Sequence, residues 1–389
     1  MNNQNTVLTA AALWNGDDLL PDPLISIEDG RIAVVSSRRA SEIPSNARHI
    51  DFPGATLAPA FFDIHIHGAA GHDVMEGTSD SLSKVSRFLA SRGTGNYFAT
   101  TVTAPLDQIL RSLSDLSKLL DNAGQPGWQG ARPLGIHLEG PFLSHSKRGV
   151  HPPEHLIEPS IATFDRMWQA AEGKIHLMTL APELANAAEL TAHAAAKGVR
   201  ISVGHSNATA AETRATIAAG AVSATHTFNA MRPLDHREIG ILGVVLSDDN
   251  LFAELICDGI HVDPALVKLW WRAKGPNRGI LITDGMSAAG MPDGTYSLGG
   301  FSVEVAHGKA SANGVLAGSV LTLDKALANF LKFTGASLES ALPLLTRNPA
   351  AMTGLASQTG SIQPGSPASL VALDANGRLQ ASIVSGQQY

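Results

Sequence analysis

Four places far apart in this 389-residue chain end an apolar, strand-like run on a residue type that binds metals: Ile64-His65-Ile66-His67-Gly68, His137-Leu138-Glu139-Gly140, Val203-Gly204-His205 and Ala224-Thr225-His226. A fifth run, Gly279 to Thr283, ends the same way on Asp284. His65 and His67 are two apart, so on an extended strand both side chains leave the same face and can reach one ion. Taken singly, such a pair is more simply two histidines making ordinary hydrogen bonds, and His205 or His226 alone is more simply a satisfied core histidine. Glu139 is harder to explain, because a carboxylate closing a buried strand needs a cationic partner or a metal. Together these coincidences point to a metal site assembled from His65, His67, Glu139, His205 and His226. Asp284 leads into a glycine-rich loop, where its ordinary role is to cap a turn. Facing an ion, it is placed to take a proton from an attacking water and return it to a leaving group. A divalent cation lowers the pKa of water from about 15.7 to about 7, so water suffices as nucleophile. Histidine and carboxylate ligands suit Zn, Fe, Mn or Co, one or two per subunit, and do not choose between them.

Residues so distant in sequence meet only if the fold gathers their strand ends. Parallel strands closed into a barrel put all their carboxyl ends on one face. Strand-like runs occur at Thr56 to Ile66, Asn96 to Thr103, Pro133 to Glu139, Lys174 to Ala181, Val199 to Gly204, Val222 to Thr225, Phe252 to Asp258 and Gly279 to Thr283. Between them lie helical patterns, among them Asp80 to Ala90, Pro105 to Leu120, a capping box at Thr209-Ala210-Ala211-Glu212, and runs from Pro264, Thr322 and Leu338. Eight strands alternating with helices predict a (β/α)8 TIM-like barrel over residues 57–358. Short β-type runs broken by Pro21-Asp22-Pro23, Asp29-Gly30 and Pro53-Gly54, and again by Asn376-Gly377, predict a small β-sandwich-like satellite domain made from residues 1–56 and 359–389.

Composition narrows the function classes. Hydrophobic residues make up 44% of the chain, yet no apolar run approaches the roughly 18–20 residues that cross a bilayer, so no membrane partner is expected. Met1 to Asn5 lacks a basic region followed by an apolar core, which leads us to expect a cytoplasmic protein. A net charge of −7 without a basic block argues against nucleic acid. The single cysteine, Cys257, follows an apolar run and reads as a small buried hydrophobe.

The segments Phe62-Asp63-Ile64-His65-Ile66-His67-Gly68, His137-Leu138-Glu139-Gly140-Pro141, Thr179-Leu180-Ala181-Pro182-Glu183, Gly204-His205-Ser206, Thr225-His226-Thr227-Phe228-Asn229-Ala230-Met231, Asp258-Gly259-Ile260-His261 and Thr283-Asp284 carry a further signal in their order and spacing. Over essentially its full length the chain resembles the N-acetylglucosamine-6-phosphate deacetylase family of the amidohydrolase superfamily. The resemblance implies that Glu139, His205 and His226 hold the principal metal, and that His65 and His67 supply a second position with Glu139 shared. It implies Asp284 as the proton carrier and His151 as the group that helps polarise the amide carbonyl. It also implies Asn229, Ala230, Arg237 and His261 as contacts to an amino-sugar phosphate, the arginine reaching across a homodimer. Two departures are Asp235 in Asp235-His236-Arg237, where relatives commonly carry histidine, and Gly285, often alanine. The absence of a lysine in Ile175 to Leu180 disfavours a dihydroorotase or hydantoinase, and an adenosine-deaminase-type signature is missing. Alternatives are a deacetylase of N-acetylgalactosamine 6-phosphate, one acting on an unphosphorylated acyl amino sugar, or a non-catalytic barrel that binds the sugar phosphate.

Overall fold

A computed structural model describes residues 5–123, 125 and 127–389, so that Met1 to Gln4, read above for a leader, lie outside the described residues. Eight strands pair in chain order into one sheet: β1 (Phe61–Ile66), β2 (Thr94–Thr101), β3 (Arg132–Glu139), β4 (Ile175–Leu180), β5 (Arg200–Val203), β6 (Ala221–Ala224), β7 (Phe252–Ile256) and β8 (Gly279–Ile282). Every neighbouring pair is parallel. Most of their residues are buried, as parallel strands must be when helices cover one face and packed side chains fill the other. Past the last strand the sheet closes on the first, where the Asp284 N–H donates to the His65 carbonyl (2.9 Å) and the His67 N–H to the Gly285 carbonyl (2.7 Å). The (β/α)8 barrel implied by the sequence is the observed fold.

Helix periodicity set the outer ring. Ser79–Ser91 buries Leu82, Val85 and Leu89, and Leu106–Ala123 buries Ile109, Leu113, Leu116 and Leu120, each along one stripe. The capping box forms: the Thr209 hydroxyl accepts from the Glu212 N–H and the Glu212 carboxylate from the Thr209 N–H, opening Ala210–Ala218. Four helices carry no clear sequence pattern, Ile161–Ala170, Ala187–Ala196, Gly240–Ser247 and Arg347–Thr353. The second is alanine-rich and the third apolar on all sides, so neither shows a hydrophobic stripe.

Strands from the two ends of the chain share another sheet. Arg48–Pro59 pairs parallel with Thr6–Trp14 on one side and antiparallel with Leu370–Leu373 on the other. Leu8, Ile25, Leu57, Leu370 and Ile383 form its separate core. The run Thr56 to Ile66, read as one strand, is broken at Ala60, whose N–H donates to Ser369 (3.0 Å) while that of Phe61 turns to Gly93 (2.9 Å). The break hands the chain from one sheet to the other.

After β8 and the glycine-rich loop that follows it comes an element outside the alternating barrel pattern. Gly294–Leu298, Phe301–Ala306, Lys309–Ala312 and Val315–Leu316 make a four-stranded antiparallel sheet over the carboxyl end of the barrel. Asp73 pins it there, its carboxylate accepting from the Gly299 N–H at 2.7 Å. Among the described residues no helix is long and apolar enough to cross a membrane.

The handover between sheets is tight. A Cβ added at Gly95 on β2 would lie 2.6 Å from the Ala60 Cβ, closer than packed carbons tolerate. Gly95→Val is expected to destabilise the protein by about 1–3 kcal/mol, read as a lower denaturation midpoint with unchanged slope in urea.

Candidate functional site

Each candidate ligand stands where a strand runs out. His65 and His67 lie at the end of β1, Glu139 closes β3, and His205, His226 and Asp284 come two residues after β5, β6 and β8. The last three adopt left-handed backbone conformations, with φ of 47°, 27° and 50°. Non-glycine residues held this way cost about 1–3 kcal/mol each and concentrate at functional sites.

The side chains converge. One Glu139 oxygen lies 3.3 Å from Nε2 of His65, 3.3 Å from that of His205 and 3.2 Å from that of His226; the other is 3.3 Å from Nε2 of His67. Asp284 Oδ1 is 3.0 Å from His67 Nε2 and 3.4 Å from His65 Nε2. Nε2 faces Nε2 at 3.1 Å between His205 and His226, and at 3.3 Å between His65 and His67.

Tautomers decide what this cluster can hold. The Nδ1 of His67 meets the Thr100 carbonyl at 3.1 Å and that of His205 the Lys147 carbonyl at 2.9 Å. Carbonyls only accept, so in neutral rings the proton sits on Nδ1 and Nε2 carries a lone pair. These lone pairs point at carboxylate oxygens and at one another, which is repulsive unless a positive charge lies between them. Burial disfavours a charged His67, yet Asp284 and Glu139 outweigh it and raise its pKa to about 9. Burial likewise favours a neutral Glu139, but His65, His151, His205 and His226 hold its carboxyl well below the usual range. Asp284, against the same burial, is brought to about 2 by His65 and His67. Buried imidazole and carboxylate donors that require positive charge among them fit a divalent cation.

His151 is built the other way round. The Thr103 N–H donates to its Nδ1 at 3.3 Å and the Thr103 hydroxyl lies 2.9 Å from the same atom. Its proton therefore sits on Nε2, 3.6 Å from Glu139. Burial lowers its pKa to about 4, so near neutrality it is an uncharged donor.

A cavity of about 370 Å³ opens on this cluster, lined by His67, Glu139, Lys147, His151, His205, His226, Asn229, Ala230, His261 and Asp284, with apolar walls from Val102, Val150, Leu298, Val315 and Leu316. Leu298, Val315 and Leu316 come from the inserted sheet. Asn229 donates to the His226 carbonyl from both its backbone N–H (3.0 Å) and its side-chain amide (3.3 Å), which leaves its side-chain oxygen for a ligand. His261 donates from its Nδ1–H to the Asp258 carboxylate at 2.6 Å. Burial opposes a charge on that ring, and Asp258 nevertheless raises its pKa. Arg237 is not brought in: it is exposed and outside the lining of its own chain's cavity. Asp235 caps its backbone N–H at 2.8 Å.

Two carboxylates were given no role in the sequence. Asp63 accepts from the Thr283 hydroxyl (2.6 Å) and the His65 N–H (3.3 Å), tying β1 to β8 beneath the cluster. Glu254 on β7 accepts from His65 Nδ1 at 3.3 Å. The signal was a lone acid in the apolar strand Phe252-Ala253-Glu254-Leu255-Ile256, the same pattern that singled out Glu139.

Residues 56–388 match the model of the amidohydrolase family. The chain belongs to that family. An N-acetylgalactosamine-6-phosphate deacetylase of Escherichia coli O157:H7 is 39% identical over 382 residues, 98% of each chain. An N-acetylglucosamine-6-phosphate deacetylase of Bacillus subtilis (strain 168) is 35% identical over 386 residues, 98% of this chain and 96% of that one. An alanine-for-aspartate variant of the Mycobacterium smegmatis N-acetyl-D-glucosamine-6-phosphate deacetylase, solved with N-acetyl-D-glucosamine-6-phosphate, superposes with a TM-score of 0.91 at 33% identity over 99% of both chains.

A cation held by a cluster that exists only in the folded state must stabilise that state. Chelation should lower the melting temperature, and Zn²⁺ or Mn²⁺ at 100 times its dissociation constant should restore about 2.7 kcal/mol, measured by calorimetry; identical melts with and without metal would contradict the assignment.

Proposed function

We propose that this amidohydrolase removes the acetyl group from N-acetylglucosamine 6-phosphate, giving glucosamine 6-phosphate and acetate, in cytoplasmic amino-sugar catabolism. The observation that carries this reading is the Glu139-centred cluster with Asp284 beside it at the floor of the cavity. Glu139, His205 and His226 would hold the principal divalent cation, and His65 and His67 a second position that shares Glu139. Such a cation supplies Lewis acidity and makes hydroxide accessible near neutral pH.

The chain's own residues account for the remaining chemistry. Asp284, kept ionised by His65 and His67, takes the proton of the attacking water as the water oxygen bonds to the acetyl carbonyl carbon. It passes that proton to the nitrogen as the C–N bond breaks, so that glucosamine 6-phosphate leaves as the amine and acetate as the acid. His151, an uncharged Nε2–H donor, supports the negative charge that develops on the carbonyl oxygen. Asn229 and Ala230 line the sugar's path. His261, positively disposed by Asp258, and Lys147 are the cationic residues that line the cavity from within the chain. The exposed Arg237 supports a homodimer in which it reaches a partner's phosphate. Its planar fork suits paired hydrogen bonds to phosphate oxygens.

A second reading, N-acetylgalactosamine 6-phosphate as substrate, is favoured by the 39% identical Escherichia coli O157:H7 relative. The two sugars differ only in the orientation of one hydroxyl. Acetate release from each phosphorylated epimer and from unphosphorylated N-acetylglucosamine, with metal-replete protein, separates these readings. Activity on a phosphorylated sugar is expected, and inertness towards both would refute the proposal. Asp284→Asn should cut kcat by about 10²–10⁴-fold while retaining metal. His151→Asn should lower kcat by roughly 10²–10³-fold with little change in KM, separable in steady-state kinetics.

A further inference from the structure

Glu254 occupies the middle of β7, fully buried between Ala253 and Leu255, and the chemistry described above makes no use of it. Among the described residues no lysine or arginine pairs with it, and its one ionisable partner is His65. A buried carboxylate without a fixed cation is costly. Its contacts show what it does there. One oxygen, Oε2, lies 3.3 Å from Nδ1 of His65 and accepts from the backbone N–H of His226 at 3.4 Å. His65 belongs to the half of the cluster with His67 and Asp284, and His226 to the half with His205. Glu139 joins these halves from the cavity side, and Glu254 joins them from behind.

Two further atoms point the same way. Oε1 of Glu254 and Nδ1 of His226 are both buried without a hydrogen-bond partner. Oε1 is an acceptor, and Nδ1 must carry the proton whenever Nε2 of His226 serves as a ligand. Complementary groups thus sit on two residues already joined through Oε2.

Resting on the metal reading above, we propose that Glu254 is a positioning residue that sets both halves of the metal centre at once. It keeps the proton of His65 on Nδ1, so that the Nε2 lone pair faces Glu139. It also anchors the backbone of His226 at the left-handed turn, φ 27°, that aims this ring at the same carboxylate. A carboxylate behind a ligating imidazole fixes its orientation and strengthens it as a donor. Because one acid holds the ring of His65 in one half and the backbone of His226 in the other, loosening it weakens both together, whereas losing His65 removes a ligand from one.

The test compares wild type, Glu254→Gln and Glu254→Asp, stripped by a chelator and titrated with Zn²⁺ against a chromophoric competitor, with stoichiometry from metal analysis. Glu254→Gln should bind Zn²⁺ about 10–100-fold more weakly than wild type, with the melting temperature of the metal-free protein nearly unchanged. Affinity within twofold of wild type would overturn the inference and leave the metal reading standing. Failure of the wild type itself to bind Zn²⁺ would remove the metal reading and this inference with it. A lower metal-free melting temperature at unchanged affinity would mark a purely structural residue and equally overturn it. In a His65→Ala background, Glu254→Gln should still weaken the remaining ion through His226, and unchanged affinity there would refute the link between halves. Should Glu254→Gln not fold, Glu254→Asp decides, since it keeps the charge but withdraws the oxygens by one methylene. Weaker binding in that variant is expected, and wild-type affinity in it would overturn the inference.

Discussion

One carboxylate, Glu139, lies within 3.2–3.6 Å of five imidazole rings, and the arrangement has no stable form without positive charge in its midst. At such separations a pair of unit charges interacts by roughly 4–5 kcal/mol at an effective dielectric constant of about 20. Several such terms crowd into one small volume, so the site is either strongly held or strongly disrupted. The barrel supplies what that demands: strand ends that cannot drift apart, because each is fixed to its neighbours by parallel pairing.

Histidines of identical covalent structure divide their work according to what stands behind Nδ1. A carbonyl behind His67 and His205, and a carboxylate behind His65, force the proton outward and leave Nε2 as a ligand. A backbone N–H behind His151 does the opposite and makes Nε2 a donor. The distinction is set by groups far away in sequence, main-chain at His67, His205 and His151 and a carboxylate at His65. A histidine's role in this cavity is therefore a property of the fold.

That dependence explains what the sequence made legible. The ligand set could be read because each member interrupts an apolar run at a strand end, and the barrel because eight strand-like runs recur with helical patterns between several of them. Arg237 could be singled out by resemblance, but its position outside its own cavity follows from the path of an exposed loop, which no periodicity records. Glu254 escaped because it lies within its strand rather than at the end. The inserted sheet was legible in principle, since Phe301-Ser302-Val303-Glu304-Val305 alternates in and out, but its glycine-rich approach masked it. Helices that are alanine-rich or apolar all round carry no stripe to find.

The sheet built from both chain ends bears on how the protein is made. Arg48–Pro59 leads into the first barrel strand, yet its antiparallel neighbour, Leu370–Leu373, lies near the opposite end of the chain. At synthesis rates of about 5–20 residues per second, the ribosome needs roughly 15–60 s to deliver that neighbour. Throughout that interval the nascent Leu57 and its flanking residues present an open strand edge, the kind of surface that invites misassociation between chains. Until Leu370–Leu373 emerges, that edge of the growing polypeptide stays uncovered.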